Sequence, residues 1–125
     1  MLFRSSGCTD GVLPEAALVQ ATSGDFYGTT QVGGANDGGT AFKITPSGTL
    51  TTLYSFCSQG VYPNCPDGDY PYAGLVQAAN GDLYGTTYSG GASNGGTVFK
   101  ITPSGTLTTL YRFCSQSGCR DGSNP

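Results

Sequence analysis

The sequence predicts an all-β fold of tandem four-stranded antiparallel meanders resembling β-propeller blades, with two full repeats and partial repeats at both ends. Three observations lead there. One stretch occurs twice: Gly24 to Phe56 reads GDFYGTTQVGGANDGGTAFKITPSGTLTTLYSF, and Gly81 to Phe113 reads GDLYGTTYSGGASNGGTVFKITPSGTLTTLYRF. Self-similarity at a fixed period marks a repeat architecture. Within each copy the apolar runs are short and are punctuated by Gly, Pro, Asn and Ser, the pattern of strands joined by turns. Glycine supplies 21 of 125 residues and charged residues only 10%, a balance that suits tight turns better than long amphipathic helices.

The period comes from matched landmarks. Asp10-Gly11 returns 57 residues later as Asp67-Gly68, and Pro14/Pro71, Tyr27/Tyr84, Lys43/Lys100 and Cys57/Cys114 keep that spacing. A third head appears at Asp121-Gly122, 54 residues after Asp67, so the second connector is three residues shorter. Leu2-Phe3-Arg4 resembles Leu110-Tyr111-Arg112, the end of a fourth strand. The expected division is therefore 1–9 as the tail of a preceding repeat, 10–66 as repeat 1, 67–120 as repeat 2, and 121–125 as the start of another.

Each repeat resolves into four runs. Ala16 to Ala21 and Ala73 to Ala78 are nearly continuous in apolar residues, as expected of a strand buried on both faces. Ser23-Gly24 and Asn80-Gly81 read as two-residue hairpin turns. Phe26 to Thr30 and Leu83 to Thr87 carry a central glycine, Gly28 or Gly85, expected to mark a bulge or close backbone approach. After a glycine-rich loop, Thr40 to Thr45 alternates with Thr40, Phe42 and Ile44 on one face. Thr45-Pro46-Ser47-Gly48 reads as a tight turn, with Gly48 and its counterpart Gly105 expected at positive φ. Alternation over Leu50 to Phe56 predicts Leu50, Thr52, Tyr54 and Phe56 on one face and Leu53 on the other. The two copies differ mainly at turn and loop positions: Val12/Asp69, Leu13/Tyr70, Glu15/Tyr72, Thr22/Ala79, Gln31/Tyr88, Val32/Ser89, Asn36/Ser93, Asp37/Asn94 and Ser55/Arg112.

The LYGTT and GTVFKIT blocks, recurring in order around the glycine-rich loop, closely resemble the GloVer tandem repeat of bacterial proteins, over nearly the whole chain. The resemblance implies an extracellular or cell-surface, propeller-like repeat protein, found beside choice-of-anchor signals. It brings no catalytic residues. The cysteines in the connectors depart from the usual pattern.

Those cysteines are the most informative chemistry. Cys57 and Cys65 bracket one connector, Cys114 and Cys119 the next, and Cys8 occupies the place of Cys65 and Cys119. Spacing and composition favour a disulfide within each connector over zinc, because there is no CxxC pair and no histidine. Each bridge would close a short loop and contribute about 2–3 kcal/mol. Cys8 is the candidate for an intermolecular thiol. The glycine-rich loops lack the Lys-Ser/Thr of a phosphate-binding loop and precede a strand, so turn formation explains them. Asp37 is a weak calcium candidate, since its counterpart is Asn94.

Catalysis has little to draw on, and the expectation is a non-enzyme without cofactor or metal. Asp10, Asp25, Asp67 and Asp82 stand beside glycine as turn formers. Serine and threonine are plentiful, but the histidine that would activate them is missing. A net charge of −3 with five scattered cations gives no nucleic-acid footprint. No apolar run reaches the roughly 20 residues of a membrane helix. Two functions remain. One is a structural repeat protein whose partner is itself, head to tail in a filament or ring, or further repeats of the same chain. The other is a lectin-like module binding glycans through Tyr27, Tyr70, Tyr72, Tyr84 and Tyr88, an expectation by fold-level analogy.

Overall fold

The structure, a computed structural model, describes residues 8–60 and 64–125. The expected strand tail at Leu2-Phe3-Arg4 lies outside the described residues. The chain forms two four-stranded antiparallel sheets, ordered β1-β2-β3-β4 and β5-β6-β7-β8. The first contains β1 (Val19–Gln20), β2 (Phe26–Thr30), β3 (Thr40–Ile44) and β4 (Leu50–Ser55). The second contains β5 (Val76–Gln77), β6 (Leu83–Thr87), β7 (Thr97–Ile101) and β8 (Leu107–Arg112). A single 3₁₀ turn at Ser117–Cys119 follows. Within each sheet every strand pairs with its neighbour in sequence, which is the meander that the punctuation of the repeats predicts.

Threonines specify the middle of each sheet. Thr30 Oγ1 donates to the Val32 carbonyl at 3.2 Å and accepts from the Thr40 amide at 3.1 Å, with the Thr40 hydroxyl 2.8 Å away. Thr87 and Thr97 repeat the arrangement. β-branched side chains suit the pleat, and these buried hydroxyls all have partners.

Several local expectations change. The first run is a strand only at Val19–Gln20, and it is not buried on both faces: Leu18 is half exposed, and in the second repeat Leu75 packs on the first sheet while Val76 is exposed. The β1–β2 turn has three residues, because the Ala21 amide bonds the Asp25 carbonyl across it and Gly24 has φ 95°. Gly85 is needed for side-chain packing: a Cβ there would sit 2.7 Å from Leu75 Cδ2 and 2.8 Å from Phe99 Cζ. The bulge lies instead in the last hairpin, where Phe42 pairs with Thr52 but Ala41 pairs with Tyr54. Leu53 is the extra residue. It shifts the alternation by one, so Tyr54 leaves the face of Leu50 and Thr52.

That shift builds the core. Tyr27, Ala41 and Phe56 of the first sheet pack against Leu75, Leu83, Phe99 and Ile101 of the second. The Phe56 and Phe99 rings lie 5.1 Å apart, and Tyr54 meets Phe56 edge-on at 5.1 Å. Hydrogen bonds cross the same interface: Thr29 Oγ1 to the Ala73 carbonyl at 3.2 Å, and the Thr22 amide to Gln77 Oε1 at 3.1 Å.

Gly48 and Gly105 both adopt positive φ, 99° and 102°, but their surroundings differ. A Cβ at Gly48 meets nothing within 4 Å, whereas one at Gly105 would lie 2.9 Å from the Leu53 carbonyl of the first sheet. Gly48→Ala is expected to cost about 1 kcal/mol from backbone strain alone. Gly105→Ala should cost about 2 kcal/mol or more, because it also pushes the sheets apart. Melting temperatures of the two variants check this, and equal losses would contradict the close approach.

Candidate functional site

The connector between sheets is held by covalent and polar bonds together. Cys57 is bonded to Cys65, and Cys114 to Cys119. Inside the first loop lies Asp67, fully buried. Its Oδ2 accepts from Tyr54 Oη at 2.7 Å, the Ser58 amide at 2.9 Å and Ser58 Oγ at 3.2 Å, and its Oδ1 from the Gln59 amide at 3.3 Å. Asp121 repeats the lock, accepting from Tyr111 Oη, the Ser115 amide and hydroxyl, and the Gln116 amide. A buried carboxylate with four donors is satisfied as an acceptor. The Asp-Gly dipeptides thus do more than turn the chain: they tie the end of one strand set to the start of the next. Burial pushes the Tyr54 hydroxyl up to about 12, with Asp67 adding to the rise and Ser58 opposing it. The Tyr111 hydrogen bond, followed by those from Ser115 and Gln116, holds the Asp121 carboxyl well below its ordinary range.

Because the repeats are so alike, matched positions report what the neighbouring sheet covers. Leu75 in the second sheet is 7% exposed, while its counterpart Leu18 in the first is 51% exposed. Leu107 is half-buried against the core, and its counterpart Leu50 is exposed. Leu18 and Leu50 line an open apolar groove with Ile44 and the buried Phe42. At the other end, Tyr27 is 3% exposed in the core, while Tyr84 borders an open depression with Val76 and Val98. Leu110 is 48% exposed where Leu53 packs on the core. The Tyr111–Phe113 ring pair, 5.2 Å apart, copies Tyr54–Phe56 but has no third sheet over it among the described residues. The first sheet therefore leaves largely open the equivalent of the face that the second sheet buries (the acceptor face), and the second leaves open the equivalent of the face that the first buries (the donor face).

The head segments are docked at both places. The Tyr70 amide donates to the Gly38 carbonyl at 2.9 Å, and the Asn124 amide donates to the Gly95 carbonyl at 2.5 Å. The Cys8 carbonyl accepts from the Gly11 and Gly34 amides, as the Cys65 carbonyl does from Gly68 and Gly91. Cys8–Pro14 and Cys119–Pro125 are therefore duplicates of one docked segment.

The five tyrosines named from sequence separate into groups. Tyr27 is enclosed, and burial followed by the Asp25 charge pushes its hydroxyl pKa up. Tyr84 lies on the unused donor face. Tyr72 and Tyr88 are exposed and meet ring to ring, with centroids 4.7 Å apart and planes 31° apart. Tyr70 joins them through its carbonyl, which accepts from the Tyr88 amide at 2.8 Å. Lys100 lies 4.0 Å from Asp82 at the surface, a pair worth little. Asp37 has positive φ in its loop. Among the described residues no group of three His, Cys, Asp or Glu side chains is placed to hold a metal ion.

A family model described as the Gloeobacter/Verrucomicrobia repeat matches residues 1–125. No curated protein and no solved structure shows a match to the chain.

The connector lock has measurable consequences. Asp67→Ala leaves buried donors unpaired and should cost about 3 kcal/mol, while Asp67→Asn, which keeps one carbonyl acceptor, should cost less. Chemical denaturation with the disulfides intact measures both. The lock should also weaken at both pH extremes. The contribution of Asp121, whose folded pKa is lowered, is complete above its ordinary value of 3.8 and lost as pH falls through the folded value. The contribution of Tyr54, whose folded pKa is raised, is complete below 10.0 and lost as pH rises towards about 12. Tyr54→Phe should flatten the alkaline limb of a melting-temperature profile.

Proposed function

The chain belongs to the Gloeobacter/Verrucomicrobia repeat family, and on that footing we propose that it is a non-enzymatic, extracellular structural module that stacks head to tail with further units of its own kind. One observation carries this: the donor and acceptor faces left open are the repeat equivalents of the two faces that already pack together inside the chain, Leu18 for Leu75 and Leu110 for Leu53. The occupant in this reading is a second copy of the chain, which must accommodate Ala17 at the place where Gly74 closely approaches the Ala17 carbonyl inside the chain. Phe113 of one copy would meet Phe42 of the next, as Phe56 meets Phe99. The Thr86 hydroxyl would reach the Ala16 carbonyl, as Thr29 reaches Ala73. Such a junction joins different surfaces of identical chains, so it closes into a ring or propagates as a filament. Propellers usually close with four to eight blades.

The connector disulfides suit an oxidising compartment. The buried carboxylate of Asp67 and its counterpart Asp121 are engaged in holding connectors, which supports a structural role over a catalytic one. The duplicated head segments add a condition. At the junction, Asp121–Pro125 of one copy and Asp10–Pro14 of the next fall on the same ledge, so one must give way. Assembly of the 125-residue chain is therefore expected to be slow and concentration-dependent.

Sedimentation velocity tests the reading with two variants. Leu18→Asp blocks the acceptor face and Leu110→Asp the donor face, and neither alone should associate. Mixed together, they should form dimers and stop there, because one intact junction remains. A cooperatively melting monomer of the unaltered chain at every accessible concentration would rule the assembly out.

A further inference from the structure

In a chain whose repeats are otherwise near duplicates, the differences converge in space. Val12, Leu13, Glu15, Gln31 and Val32 of the first repeat become Asp69, Tyr70, Tyr72, Tyr88 and Ser89 in the second. These positions are far apart in sequence but adjacent in the fold: the head segment pairs with the stretch after the second strand through the bridges Val12–Val32 and Asp69–Ser89. The exchanges compensate one another. Two valines facing across the bridge become an Asp–Ser pair, in which Ser89 Oγ donates to Asp69 Oδ1 at 2.6 Å. The same ledge thus carries an apolar pair in one repeat and, in the other, a buried carboxylate beside three tyrosines.

We propose that this ledge, Asp69–Tyr72 with Tyr88 and Ser89, is a glycan-binding site for β-linked pyranose chains with equatorial hydroxyls. Tyr72 and Tyr88 are 45% and 39% exposed yet stack on each other at 4.7 Å, so the pair is a mutually supported aromatic platform that offers an outer ring face and ring edges to a ligand. Exposed aromatic rings with polar edges are amphipathic surfaces, and a pyranose with equatorial hydroxyls presents its C–H groups as a flat face of matching size. Polar groups accompany the rings: Ser89, hydrogen-bonded to the buried Asp69 carboxylate, and Asn124, whose Nδ2 donates to the Tyr88 carbonyl at 2.8 Å. Apolar stacking with a few placed polar groups is the general composition of a small-ligand site. A polyanion fits poorly, since the chain carries a net charge of −3 and the ledge itself includes the Asp69 carboxylate. The first repeat, with Glu15 and Gln31 at the ring positions, has no such platform. Each 125-residue chain therefore holds one site.

This inference stands apart from head-to-tail stacking, because a chain that never assembles can still bind a sugar. The test is isothermal titration of the full chain with cellohexaose, and with maltohexaose as an axially linked control. Saturable binding of cellohexaose at one site per chain is expected, with much weaker binding of maltohexaose. Tyr72→Ala and Tyr88→Ala should each weaken binding about tenfold or more, while Tyr88→Phe, which keeps the ring, should retain it within about threefold. Glu15→Ala, at the matching position of the first repeat, should bind as the unaltered chain does. Absence of saturable cellohexaose binding overturns the proposal, as does equal affinity for the two hexaoses. Unchanged affinity in a folded Tyr72→Ala or Tyr88→Ala variant overturns it as well.

Discussion

The ring of Phe56 lying 5.1 Å from that of Phe99 marks the contact on which everything else depends. A four-stranded meander has two faces, and one meander by itself leaves both in water. Burying the Phe56 side of one sheet on the Phe99 side of the next removes large aromatic and aliphatic area from solvent, which is the main favourable contribution to folding. The β4 bulge serves that contact. By inserting Leu53 it turns Tyr54 away from the face of Leu50 and Thr52, and the Tyr54–Phe56 pair then packs edge-on beneath the second sheet.

Charge and covalent chemistry act mainly to hold that packing in register. Asp67 is fully buried but fully engaged, so its desolvation is offset by charge-assisted hydrogen bonds. The Cys57–Cys65 bridge closes the same loop. Two constraints on one short connector fix where each new sheet starts relative to the last, and the shorter second connector reproduces the same acceptor geometry around Asp121. The connector can lose three residues because the lock is made by its ends.

The proposed stacking through repeated faces and the proposed recognition through an unrepeated ledge would place opposite demands on sequence. The residues packed between the sheets recur nearly unchanged in the two copies. The ledge of Asp69, Tyr72, Tyr88 and Ser89 lies outside the Phe56–Phe99 core, and there the copies diverge. Surface positions away from a packed interface tolerate exchange at little energetic cost, which lets such a scaffold carry different contacts on successive repeats.

Strand number, strand order, the turn at Thr45–Gly48 and the pairing of connector cysteines were legible in the residues, because each depends on local pattern: alternation, turn chemistry and short loop closure. The bulge was not, since register belongs to a pair of strands, and read alone Leu53 in Leu50 to Phe56 is simply an apolar residue on the opposite face. The site was legible as a set of five tyrosines but not as a place. Tyr27 and Tyr84 stand in near-identical sequence, yet one is enclosed and the other borders an open depression. Tyr72 and Tyr88 are sixteen residues apart and meet only because the head segment pairs beside the second repeat's own sheet. The sequence alone determined what each repeat becomes. Which of its faces is covered was decided only by the tertiary structure, because burial is a property of the neighbour and not of the strand.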